Sequence, residues 1–111
     1  MSIERLRQYQ CLHYHLRMAH VLLLCAEEAE PGPDRISPLW CAADRLDNAR
    51  RYATIFKLNL HRRIARLSRR YEDLARQAGE GEAIGDAFEG EIHIVSRDAN
   101  GKWSERRERV H

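Results

Sequence analysis

From Ile3 to about Glu30 the chain has no glycine or proline, and apolar residues recur at helical intervals as Tyr9, Leu12, Leu16, Ala19, Leu23 and Ala26. That spacing lays a single stripe along an amphipathic helix. Ser2 stands where a capping hydroxyl would start it. The segment "PGPDRISP" must end it, because Pro31 and Pro33 exclude helix and push their predecessors toward extended backbone. Ser37 followed by Pro38 is then a start signal, a capping hydroxyl with proline at the first helical position. No glycine or proline follows until Gly79 and Gly81, which supply the stop. Leucine or alanine returns every seven residues at Leu39, Leu46, Ala53, Leu60, Leu67 and Leu74, with companions at Ala42, Ala49, Phe56, Ile64, Tyr71 and Ala78. The pattern predicts a mainly α fold: a long antiparallel helical hairpin, about 3–30 and 38–78, whose second helix is about 60 Å long. Thr54, Ile55 and Asn59 are poorer helix formers, so the one weak point of that second helix is near Asn59–His61.

The period changes in the tail. Ile92 and Ile94 alternate with His93 and Val95, and Asn100-Gly101 is the favoured dipeptide of a tight hairpin turn. A short C-terminal β-hairpin is expected over about 91–109. The connecting segment 79–90 is acidic, with Glu80, Glu82, Asp86 and Glu89, and reads as a linker with at most one helical turn. The whole of 1–111 reads as one helical domain, with 79–111 an acidic linker plus β-hairpin appendage.

The first helix carries a second apolar stripe, Cys11, Tyr14, Met18, Leu22 and Cys25, about 120° round the cylinder from the first. A helix apolar on most of its circumference must be covered on more than one side. The second helix covers one side only. Packing as a dimeric helical bundle through this stripe is the expectation, and a monomer whose β-hairpin completes the core is the alternative. The second helix repeats the pattern weakly, with Ile55 and Leu58 opposite its core stripe among Arg51, Arg62 and Arg69. Apolar groups ringed by arginine are a common interface composition, although scattered exposed apolar residues are also normal.

Charge sharpens this reading. The chain has a net charge of only +2, so no overall field draws it to nucleic acid. Locally, "NARRYATIFKLNLHRRIARLSRRY", Asn48 to Tyr71, holds eight basic side chains and no Asp or Glu. A solvent-facing helix must be polar, so position alone proves nothing. Its sign is more telling, since such faces usually mix Glu with Lys. Three anions can answer it: first the acidic 80–91 segment, in the same chain or across a dimer, then an acidic surface on another protein, then nucleic-acid phosphate. Of the 19 basic residues all but Lys57 and Lys102 are arginine. Arginine forks suit carboxylate and phosphate, while a GC-rich bacterial genome would produce the same bias.

Candidate chemistry is sparse. Cys11, Cys25 and Cys41 are an odd count without a CxxC pair, which argues against a disulfide framework and suits a reducing cytoplasm. Cys11 and His15 have a chelating spacing, but no second ligand pair accompanies them, so neither metal nor cofactor is expected. No phosphate loop, nucleophile elbow or paired carboxylates in an apolar stretch are present, so no enzyme is expected. The apolar run Val21–Ala26 is too short to span a bilayer. What remains is a small regulatory protein acting on another protein as inhibitor, antagonist or adaptor, for instance of a bacterial transcription factor or a host defence complex. Its partner-binding residues would be Arg51, Ile55, Leu58, Arg62, Arg66 and Arg69. A nucleic-acid-binding regulator using the same basic face is the alternative.

Overall fold

The computed structural model describes residues 2–84 and 90–109. It is mainly helical, with a three-stranded antiparallel sheet at its C-terminal end. Helix α1 spans Ile3–Glu28; a 3-10 turn, Pro33–Arg35, leads into α2, Ile36–Phe56, and then α3, His61–Ala78. Strands β1, Gly81–Ile84, β2, Glu91–Arg97, and β3, Trp103–Arg109, pair in sequence order.

Helix α1 starts as expected, with Ser2 Oγ accepting the Arg5 N–H at 3.1 Å. Its core stripe is fully buried at Leu12, Leu16, Ala19, Leu23 and Ala26. Helix α2 begins at Ile36, two residues before Pro38, so Pro38 sits inside the first turn rather than at its start. The position tolerates proline because the first N–H groups of a helix have no intrahelical acceptor.

The long second helix is interrupted. Lys57 turns left-handed (φ 55°, ψ 45°) and ends α2. Its N–H donates to Thr54 O at 3.3 Å, and the Leu58 N–H donates to Ala53 O at 3.0 Å. These two bonds form a Schellman motif, which satisfies carbonyls at the helix end and tucks the following apolar residue back toward the last turn. Leu58 is accordingly buried, at 3% exposure, beside buried Ala53. The terminus is also capped from α1, where the Arg5 guanidinium donates to Phe56 O and, at 3.1 Å, to Lys57 O. A cation at the negative end of a helix is favourable. In place of one hairpin there are three helices, and the longest dimension of the fold is 52 Å, short of a 60 Å rod.

The tail departs from expectation in two places. Part of the supposed linker is a strand, β1, paired with β2 from Gly81↔Arg97 to Ile84↔Ile94. Residues 85–89 of the linker, Asp86 and Glu89 among them, lie outside the described residues. The β2–β3 turn is also longer than two residues, since Asp98 N–H donates to Lys102 O at 3.0 Å. Asp98 Oδ1 organises it by accepting from the N–H groups of Asn100 and Lys102, each at 2.9 Å, and Gly101 supplies a left-handed residue (φ 82°). The sheet buries Ile94 and Val95. Trp103 docks it on the helices, its Nε1–H donating to Tyr71 Oη at 2.7 Å and its ring lying 5.6 Å from that of Trp40. The docking side chains belong to α2 and α3, leaving the outer face of α1 to solvent.

Candidate partner-binding surfaces

The residues of both surfaces anticipated from the sequence can be placed in the structure. On α3, Arg62, Arg66 and Arg69 occupy one face at four- and three-residue spacing, opposite buried Ile64, Leu67 and Leu74. All three are exposed, as are Arg51 and Ile55 on the outer side of α2, Ile55 at 61%. Leu58 does not belong with them. The Schellman turn rotates it out of the charged face into the core, so the expected apolar docking centre is reduced to Ile55.

The flanking arginines are used internally. Arg50 pairs with Asp47 at 3.1 Å and bonds Ser68 Oγ; Arg63 donates to His13 Nδ1 at 2.7 Å; Arg70 pairs with Glu27, and Arg76 with Asp73. Arg51, Arg62, Arg66 and Arg69, by contrast, have no hydrogen-bond or ion-pair partner among the described residues. Among the described residues the acidic tail supplies none there. Strand β1 carries Glu82 to Arg106 of β3, 3.4 Å away, and Arg106 also pairs with Glu108. Between α2 and α3, beside this row, runs a shallow groove with Ala53, Ile64 and Ala65 in its lining and Thr54 and His61 at its rim.

The second surface is the outer side of α1. Of its predicted residues, Tyr14 (53% exposed) and Cys25 are exposed, while Cys11, Met18 and Leu22 are half-buried, Leu22 against the core. The sequence reading missed four residues of this face, Ile3, Leu6, Val21 and Leu24, all exposed. For Val21 and Leu24 the signal was the all-round apolar character of Val21–Ala26, while Ile3 and Leu6 extend the same face toward the start of α1. No helix among the described residues is long and apolar enough to cross a membrane.

Between α1 and α2 lies a stacked array. The His15 ring packs on Tyr52 at 5.3 Å, Tyr52 on Phe56 at 5.4 Å, and Arg45 covers Tyr14 at 5.4 Å. Arg45 Nη1 donates to His15 Nδ1 at 3.2 Å, which requires an unprotonated ring nitrogen. Burial, and then the Arg45 charge, hold the His15 pKa below its ordinary value of 6.5, with Asp44 opposing. His15 is thus engaged by Tyr52 and Arg45. Among the described residues no three His, Cys, Asp or Glu side chains are grouped to hold a metal ion. Because folding favours the neutral ring, its contribution is complete above the ordinary pKa and is lost as pH falls through the lowered folded value. Melting temperature is therefore expected to fall more steeply below pH 6.5 in wild type than in His15→Gln. Parallel pH profiles for the two would refute this.

Comparison with protein-family models, curated proteins and solved structures finds no match for this chain.

Proposed function

We propose that the protein is a small non-enzymatic regulator of a larger bacterial protein, such as a transcription factor or a host defence complex. It binds an acidic surface of that protein through Arg51, Ile55, Arg62, Arg66 and Arg69. In this reading it works in the cytoplasm as a homodimer joined through α1, with its thiols free. One observation carries the proposal. The outward arginines of α3 stand in a row without a carboxylate among the described residues, while their neighbours Arg63 and Arg70 are engaged by α1. A row of unsatisfied guanidinium forks beside an exposed isoleucine resembles the arginine-rich, partly apolar make-up of protein interfaces.

The rival anion is nucleic-acid phosphate. It is separated by salt and by substitution. Arg62→Gln, Arg66→Gln and Arg69→Gln are each expected to weaken partner binding about tenfold, the order of one charge-assisted hydrogen bond, without lowering thermal stability. Pull-down from the native host should retain a protein, and its binding by the purified chain should survive nuclease treatment. A wild-type protein that shifts duplex DNA at about 0.15 M salt with micromolar or better affinity, and loses affinity steeply as salt rises, would replace this reading with nucleic-acid binding.

A further inference from the structure

Of the seven large apolar side chains exposed among the described residues, five (Ile3, Leu6, Tyr14, Val21 and Leu24) project from α1. At 100° per residue they fall within about 100° of arc, on the side turned away from the core stripe. Along one edge of this arc, sharing Tyr14 and Val21 with it and taking in half-buried Cys11 and Met18, runs a seam with alternating four- and three-residue steps: Arg7, Cys11, Tyr14, Met18, Val21, Cys25 and Glu28. That step pattern is the one by which two helices interlock side chains along a shared line. The seam is apolar at its five inner positions and charged only at its ends, Arg7 near the start of α1 and Glu28 at its last residue. Both end charges are exposed, and neither has an ion-pair partner among the described residues.

The end charges decide the occupant. Resting on the homodimer reading above, we infer that α1 docks on α1 of a second copy in antiparallel orientation, about a dyad at Met18. In a parallel pair Arg7 would face Arg7 and Glu28 would face Glu28, placing like charges at both ends of an apolar interface. Turned antiparallel about Met18, Arg7 comes within one residue of level with the partner's Glu28 at each end, Tyr14 within one residue of the partner's Val21, and Cys11 lies level with the partner's Cys25. The dyad falls on Met18, whose unbranched, polarizable side chain adapts to a contact with itself. The arrangement is isologous and closes at two copies, so it leaves no apolar seam open to a third. It also leaves the arginine row of α3 outside the contact.

The three cysteines give the test. With Cys41→Ser as background, one chain keeps only Cys11 (Cys25→Ser) and another only Cys25 (Cys11→Ser). In the antiparallel pair like thiols lie about 21 Å apart along the axis, fourteen residues at helical rise, while Cys11 and the partner's Cys25 are level. A short bis-maleimide should therefore join neither chain to itself and should join the two chains when they are mixed and allowed to exchange. Efficient self-linking of either chain, in a protein that sediments as a dimer, would overturn the antiparallel orientation and leave the dimer standing. Wild-type protein sedimenting as a monomer at about 100 μM, a concentration at which useful dimers are populated, would overturn both. A dimer with no cross-link in any combination would place the interface elsewhere and overturn the inference as well. A charge swap that leaves every cysteine in place gives an independent reading. Arg7→Glu should raise the dimer Kd about tenfold by creating two repulsive ends, and Arg7→Glu with Glu28→Arg should restore it. A parallel dimer would show no such rescue.

Discussion

Leu58→Ala is expected to destabilise the protein by about 2–5 kcal/mol, the cost of truncating a buried leucine, although leucine at this position would sit on the charged face of a continuous helix. The prediction rests on the Schellman turn at Lys57, which places Leu58 at 3% exposure with Ala53 beneath it. Leu60 makes the complementary case. On an unbroken helix it belongs to the heptad stripe and its truncation should be costly. In the structure it is the half-buried residue just before α3, so Leu60→Ala should cost clearly less than Leu58→Ala. Urea unfolding of the two variants decides between the geometries. A difference of about 1 kcal/mol moves the melting temperature of a domain this size by about 4–8 °C, so the order is easily read. Leu58→Ala within about 0.5 kcal/mol of wild type, as for an ordinary surface substitution, would restore the continuous helix.

That reversal shows where sequence legibility stopped. The stripes of α1 and α2 were readable because burial imposes a 3.6-residue period on side-chain polarity, and Leu12, Leu16, Leu23, Leu39 and Leu46 are buried as that period requires. The helix break was only a weak point in propensity. Schellman turns usually advertise themselves with glycine, and here the left-handed residue is Lys57, a side chain that accepts the conformation at some cost. Strand β1 was hidden for a related reason. Its four residues, Gly81–Ile84, are too short to show alternation, and their order comes from pairing with β2 rather than from local preference. For the surfaces, the row Arg62, Arg66 and Arg69 followed directly from helical spacing. Its lack of a carboxylate partner among the described residues did not, because charge counting along the chain suggested neutralisation by the tail, whereas β1 takes Glu82 to Arg106. The largest omission was Arg35, one cation in a proline-rich turn, with nothing in its neighbours to mark it.

Arg35→Ala is expected to cost about 3 kcal/mol or more, the loss of several hydrogen bonds made by a charged donor. Arg35 is 6% exposed, the one buried charged side chain among the described residues. Its Nε donates to Ala29 O at 3.1 Å, Nη2 to Glu27 O at 3.4 Å and Nη1 to Gln77 Oε1 at 2.9 Å. Two of these acceptors belong to the end of α1, where carbonyls have no intrahelical donor and the helix dipole favours a cation. The third lies in the last turn of α3, so one guanidinium joins the ends of two helices at the entrance to α2. Truncation removes these bonds, strands partly buried carbonyls and deletes the packed stem of the side chain. Arg35→Lys keeps the charge but not the planar fork that reaches acceptors in separate directions, so it should recover less than half of the loss. A double-mutant cycle with Gln77→Ala isolates the link to α3, and a coupling of about 1 kcal/mol is expected for residues sharing such a bond. Exposed Arg62→Ala serves as the control and should stay within about 0.5 kcal/mol of wild type. If Arg35→Ala is as mild as that control, the cation is a passenger in the turn, and the ends of α1 and α3 are held by apolar packing around Ile36 and Ala78 alone.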